Sequence, residues 1–230
     1  MKLKRLGRWD VDYRGAVALQ ERLRRRLVRR GSPRGVQRVA GADVSYERTL
    51  DRFYAGVVVL SFPDLETVEE VWTSGRATFP YIPGLLTFRE GPVLCRAFRA
   101  LEHTPDLVIF DGQGVAHPRG IGLAAHMGLL VDVPSIGCAK SRLCGEHDAP
   151  GASRGASVPL RHGGRTVGRV VRTRDRVKPV FVSVGHRISL DAAVRWVLKT
   201  CDGFRLPEPT RRAHQLVNRI RKAAKPENRR

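Results

Sequence analysis

Apolar positions follow two different rhythms along the chain. From Tyr13 to about Arg30, Val17, Leu19, Leu23, Leu27 and Val28 recur at near-helical spacing with arginines between them. That pattern predicts an amphipathic helix, which Gly31-Ser32-Pro33 ends. Three β-type runs follow, at Val36 to Tyr46, Phe53 to Phe62, and Glu66 to Trp72 or slightly beyond. Their close spacing predicts an antiparallel meander. The rhythm then changes. Leu85 to Leu101 reads as a helix interrupted by Gly91-Pro92, and Leu107 to Phe110 is wholly apolar, the signature of a strand covered on both faces. Gly120 to Leu130 reads as a helix and Ser135 to Ala139 as another buried strand. Strand, helix and strand so close together form a βαβ unit with parallel pairing. Gly145 to Ser157, rich in Gly, Ala and Ser, reads as a loop. Thr166 to Arg172 and Val180 to Val184 are further predicted strands. Leu190 to Thr200 and Thr210 to Ala223 are predicted helices, and the tail from Lys225 is expected to fray.

Three antiparallel strands followed by parallel strands alternating with helices, in one mixed α/β sheet, follow the strand logic of the RNase H-like fold. No repeat or linker divides the chain, so residues 1–230 are expected to form a single domain. The 42% apolar content supplies a core and excludes charge-driven disorder. At 230 residues the chain needs no disulfide or metal in order to fold.

Charge sharpens the picture. Lys and Arg total 42 against 22 Asp and Glu, a net of +20. The excess is almost all arginine, whose planar fork matches phosphate oxygens in pairs. A GC-rich genome would explain arginine over lysine, but not the uncompensated charge. The expected partner is therefore a polyanion, nucleic acid first. The basic residues concentrate in the first 34 positions, with twelve basic and three acidic side chains, and in Arg205 to Arg230, with nine and two. Cys95, Cys138, Cys144 and Cys201 form no CxxC pair, which points to reduced thiols in a cytoplasmic protein rather than a zinc site. Met1 to Trp9 lacks the apolar core of a signal peptide, and no apolar run reaches membrane-spanning length. No membrane association and no obligate protein partner are expected, and a monomer is.

Asp43 lies inside Val39 to Tyr46, and an aspartate within an apolar strand is costly unless paired or bound to a cation. Asp111 follows the apolar strand Leu107 to Phe110 and precedes Gly112-Gln113-Gly114; the carboxyl ends of parallel strands are where ligands bind. Glu90 stands at the Gly-Pro interruption. Taken singly, Asp111 suits a turn and Asp43 a salt-bridged core carboxylate. Taken together, in a basic chain, they suggest a site for Mg²⁺, with Mn²⁺ as a substitute.

These residues belong to longer runs. Ala40 to Tyr46, Pro80 to Glu90, Phe110 to Arg119, Gly128 to Gly137 with Ala139-Lys140, and Val182 to Arg187 together resemble endonuclease V. The five blocks keep that family's order over about residues 10 to 224. The resemblance implies an RNase H-like, Mg²⁺-dependent nuclease. Its relatives nick DNA at the second phosphodiester bond 3′ to deoxyinosine, leaving a 3′-hydroxyl and a 5′-phosphate. It implies Asp43, Glu90 and Asp111 as metal ligands, with His214 as a further active-site residue. Pro80, Tyr81, Ile82 and Pro83 match the strand-separating wedge. Gly112, Gln113 and Gly114, with His117 and His126, would surround the base pocket and scissile phosphate. Lys140 would meet phosphate, and Gly185, His186 and Arg187 the nucleic-acid backbone. Gln113 stands where many relatives have histidine, and Ser141 where some have lysine. Two other readings stay open: an inosine-directed endoribonuclease, and a non-catalytic nucleic-acid-binding protein.

Overall fold

The computed structural model describes residues 1–224; the tail expected to fray lies outside the described residues. Eight strands form one mixed sheet: β1 (Arg38–Glu47), β2 (Arg52–Ser61), β3 (Thr67–Arg76), β4 (Leu107–Phe110), β5 (Ser135–Ala139), β6 (Ser157–His162), β7 (Arg165–Val171) and β8 (Val180–His186). Their order is β3-β2-β1-β4-β5-β8-β7-β6. The helices are α1 (Tyr13–Arg24), α2 (Leu86–Ala100), α3 (Leu123–Val131), α4 (Leu190–Lys199) and α5 (Glu208–Ala223).

Alternation along β2 explains the layering. Val57 and Val59 join the main core with Phe88, Leu94 and Phe98 of α2. Val58 and Leu60 point the other way and pack on Ala213 and Leu216 of α5. Side chains of successive strand residues face opposite sides, so a continuous apolar run is what a sheet covered on both faces requires. The strands β4, β5 and β8 are buried throughout, whereas the edge strand β3 is largely accessible.

The expected meander is present, and β4 and β5 run parallel to β1. Beyond β5 the sheet turns antiparallel: β8 pairs antiparallel to β5, β7 to β8 and β6 to β7. The strand β6 was not expected. Its Pro159 is tolerated because β6 is an edge strand, where a missing donor costs little. Two helices differ from their patterns. α1 ends at Arg24 because the chain beyond it is drawn out along the end of β8: the Val28 N–H donates to His186 Nδ1, the Arg187 N–H to the Val28 carbonyl and the Ser189 N–H to the Gly31 carbonyl. α2 runs unbroken through Gly91-Pro92, because Gly91 gives room for the Trp9 ring where a side chain would collide. Burial of Phe88, Leu94 and Phe98 holds the helix across the one missing donor. Among the described residues no helix is long and apolar enough to cross a membrane.

Candidate active site

Strand register brings two carboxylates together. Ala42 stands opposite Phe110 in the parallel ladder of β1 and β4, and the Asp111 N–H donates to the Ala42 carbonyl at 3.0 Å. The next residue on each chain is an aspartate, so Asp43 and Asp111 emerge side by side where that ladder ends.

The third donor comes from α5, which lies directly on β1. A Cβ on Gly41 would run into the Pro209 carbonyl and sit 2.5 Å from the Thr210 nitrogen. Only glycine permits this approach. Glu208 braces the same turn, its buried carboxylate taking Arg211 at 2.5 Å and Arg212 at 3.2 Å. His214 Nδ1 then lies 2.7 Å from Asp43 Oδ2. Asn218, one turn on, donates to the His214 carbonyl at 2.9 Å and places its amide nitrogen 3.0 Å from Nε2, while its oxygen accepts from Ser45 and Arg221. With the amide donating to Nε2, the Nδ1 of a neutral His214 carries the proton and donates to Asp43.

Asp43, Asp111 and His214 each offer a ligand atom within 4.8 Å of the others. Lys140 Nζ is 2.5 Å from Asp111 Oδ2 and 3.5 Å from His214 Nδ1. Glu90, on α2, falls outside that triad but within reach of its field. Burial first, then the charges of Asp43 and Asp111, push its carboxyl up to about 8. Burial and Asp43 also raise Asp111, against the opposing pull of Lys140. Convergent carboxylates that resist ionising together are what a divalent cation relieves. The convergent carboxylate oxygens fit such an ion, while His214, with both ring nitrogens engaged, holds Asp43 in place.

A pocket of about 360 Å³ opens beside Asp111 and Lys140. Ile82, Pro83 and Gly84 form one wall, Gly112, Gln113 and His117 another, and Tyr81 stands at its rim, 69% exposed. Pro80 precedes that rim and is exposed. The Gly84 carbonyl accepts three hydrogen bonds, from Gln20 Nε2 at 3.0 Å, His117 Nε2 at 3.0 Å and Arg119 Nη2 at 2.6 Å. This pins the loop that carries Tyr81. His117 donates through Nε2 and accepts the Arg119 N–H at Nδ1. Burial, with the Arg119 charge, pulls it down to about 4, so it stays neutral. Gln113 donates to the Ser141 carbonyl at 2.9 Å, while its Oε1 is buried without a partner. An unpaired buried acceptor costs about 1–3 kcal/mol, a cost that a ligand donor would remove.

The Endonuclease V family model matches residues 21–215. A Gloeobacter violaceus endonuclease V is 52% identical over 221 residues, 95% of this chain and 90% of that one. The chain belongs to the endonuclease V family. The crystal structure of the Streptomyces avermitilis endonuclease V superimposes with a TM-score of 0.89 at 45% identity, covering 94% of this chain and 96% of that one. A Ciona intestinalis endonuclease V, solved with a 23mer DNA containing an inosine followed by a ribo-adenosine, is 26% identical with a TM-score of 0.81 over 92% of this chain and 98% of that one.

Not every residue marked by the endonuclease V motifs reaches the pocket. Gly114 lies beneath it, its N–H donating to Ser183 Oγ at 2.9 Å and its Cα against the Val184 carbonyl. His126 is a core histidine: α3 is buried on every side, and the ring stacks on Trp9 at 5.3 Å with Phe88 edge-on at 5.6 Å. Complete burial pulls it down to about 4. Gly185, His186 and Arg187 lie at the opposite end of the strands from the carboxylates, because β8 runs antiparallel to β5 and Ser135, where β5 begins, pairs with His186. There Arg187 holds Asp132 at 2.9 Å, and His186 accepts from Val28. Conversely, Gln20, Arg119, Ser183 and Asn218 support the site without having been singled out. Asn218 lies four residues after His214 on one helix face, Gln20 is a polar residue within an apolar helical stripe, and Ser183 is the one polar residue among Val180 to Val184. Arg119 closes the Phe110 to Arg119 block, but no local pattern directs its side chain to Gly84.

Proposed function

We propose that this chain is a repair endonuclease that recognises deoxyinosine in DNA and hydrolyses the second phosphodiester bond 3′ to it, leaving a 3′-hydroxyl and a 5′-phosphate. The observation that carries the reading is the pair of carboxylates Asp43 and Asp111, with His214 bonded to Asp43, opening onto a pocket rimmed by an exposed tyrosine. The inosine-containing DNA held by the Ciona relative supports the substrate. The whole chain acts as one domain of this type.

Asp43, Asp111 and Glu90 hold Mg²⁺, for which Mn²⁺ can substitute. When bound, the ion neutralises phosphate charge and lowers the pKa of an attacking water. His214 orients Asp43, and Asn218 fixes the ring that does so. Lys140 stands ready to pair with a phosphate oxygen. Tyr81 and Ile82, stiffened by Pro80 and Pro83 and anchored at Gly84, intrude where the base leaves the stack. Unstacking is cheapest at a mismatched or damaged pair, which contributes selectivity. Gly112, Gln113 and His117 receive the flipped base, with the free Gln113 Oε1 as an acceptor for a base N–H. Both histidine nitrogens of His117 are already engaged, so it acts as a neutral wall.

The test is nicking of end-labelled strands, DNA and RNA side by side, each with and without a single inosine, in Mg²⁺ and in chelator. Wild type nicks the inosine DNA strand only with metal. Asp43→Ala slows this by at least about 10³-fold, the several kcal/mol that a Lewis-acid cation supplies. It still binds DNA, since binding rests on the basic surface. Nicking by Asp43→Ala at the wild-type rate, or wild-type nicking without regard to inosine, refutes the reading. Preference for the RNA strand would reassign the substrate.

A further inference from the structure

A second recess backs onto the base pocket, with His117 in the wall between them. It has a volume of about 380 Å³. Its sides come from three separate parts of the chain: Arg24 and Arg25 at the end of α1, Arg29 from the extended segment that follows, and His162 and Arg165 from the β6–β7 hairpin. The loop 115–120 closes it. Arg119 on that loop is committed inward, to Gln20 Oε1 at 2.6 Å and to Gly84.

The other arginines are uncommitted. Among the described residues, no carboxylate forms an ion pair with Arg24, Arg25, Arg29 or Arg165. By contrast, Arg187 is answered by Asp132, Arg211 and Arg212 by Glu208, and Arg219 by Glu70. Arg29 also registers the crowding, since burial, then Arg165 and Arg24, pull its guanidinium below the ordinary arginine value. Four guanidinium forks around one concavity, without a protein anion, form a receptor for phosphate oxygens.

We propose that this recess binds the backbone phosphates of the lesion-bearing strand on the 5′ side of the flipped base. The assignment rests on the function proposed above and deepens it. The direction follows from the loop that begins at Asp111. It passes Gln113 in the base pocket, crosses β5 and β8 where Gly114 lies on Val184, and reaches His117 at the recess. The carboxylates and the recess therefore stand at opposite ends of the base pocket. Cleavage falls on the 3′ side of the base, so the strand continues past His117 in the 5′ direction. Anchoring there lets the strand be held on both sides of the displaced nucleotide, with the wedge between the two anchors.

The experiment measures binding of inosine DNA in calcium or chelator, so that no strand is cut, for wild type and for Arg29→Gln/Arg165→Gln. Each phosphate contact contributes about 0.9 to the slope of log K on log salt, so losing two should flatten it by about 1.8. Between 50 and 200 mM salt that corresponds to about a twelvefold smaller loss of affinity. The second arm replaces single phosphates with neutral methylphosphonates. Neutralising a phosphate 5′ to the inosine should weaken wild type several-fold and the double variant, which keeps only Arg24 and Arg25, markedly less. An unchanged slope overturns the site. Coupling only to 3′ phosphates or to the complementary strand overturns the direction. Competition by inorganic pyrophosphate with no dependence on methylphosphonate position would make the recess a free-anion site and overturn its role in strand binding. A wild type that binds inosine and unmodified DNA equally refutes the lesion reading, and in that case the salt slope on unmodified DNA still decides whether the recess takes phosphate.

Discussion

Gly41→Ala should damage stability and catalysis together, for one geometric reason. The added Cβ would stand 2.5 Å from the Thr210 nitrogen and still closer to the Pro209 carbonyl. Carbon and nitrogen or oxygen rest at about 3.5 Å, so α5 must retreat by at least about 1 Å. Both obstacles are backbone atoms, and no rotamer change relieves them. Overpacking of this kind costs about 1–3 kcal/mol, and a rigid backbone clash belongs at the upper end. For a chain of this size, each 1 kcal/mol lowers Tm by about 2–4 °C, so a fall of about 4–12 °C is expected. The same shift would stretch the 2.7 Å bond from His214 to Asp43 beyond hydrogen-bonding range. A misplacement of about 1 Å at a reacting centre costs about 10²-fold in rate. Differential scanning calorimetry and single-turnover nicking of inosine DNA at saturating enzyme measure the two effects. Gly112→Ala is the stability control, because its Cβ meets nothing nearer than Leu123 at 3.5 Å. Its Tm should stay within about 2 °C of wild type. A Gly41→Ala protein with wild-type Tm would refute the close-approach argument. One that is destabilised but nicks at the wild-type rate would show that α5 does not position the site.

Tyr81→Ala removes an exposed ring held on a pinned loop, so it should reduce discrimination between inosine and unmodified duplex by about 10-fold while leaving metal affinity unchanged; equal losses on both duplexes in competition binding would rule out lesion reading by this residue. Metal binding should release a proton, because Glu90 sits at about 8 in the metal-free protein and must ionise to serve as a ligand. The sign follows: the raised carboxyl favours the protonated, metal-free form below its pKa, so Mg²⁺ affinity should rise with pH up to about 8 and then level off. Titration calorimetry in two buffers of different ionisation enthalpy reads the proton directly, and a pH-independent affinity would exclude Glu90 from the metal set.

Most elements, and the side chains that matter most, were legible in local pattern. Continuous apolar runs such as Leu107 to Phe110 could only be doubly covered strands. An aspartate following one of them, together with another inside Val39 to Tyr46, marked the site by position along the chain alone. The motif blocks added functional meaning to those local signals. Whatever depends on register and direction came only with packing. Parallel pairing of Ala42 with Phe110 turned two distant aspartates into neighbours, and Gly41 let α5 bring His214 to them. Antiparallel β8 carried Gly185, His186 and Arg187 to the far end of the strands, and full burial of α3 removed His126 from the pocket. The arginine recess is of the same kind. Net charge foretold a polyanion, but only packing gathered Arg24, Arg25, Arg29 and Arg165 around one concavity and left them without carboxylate partners, because charge is a property of composition and counter-charge a property of contact.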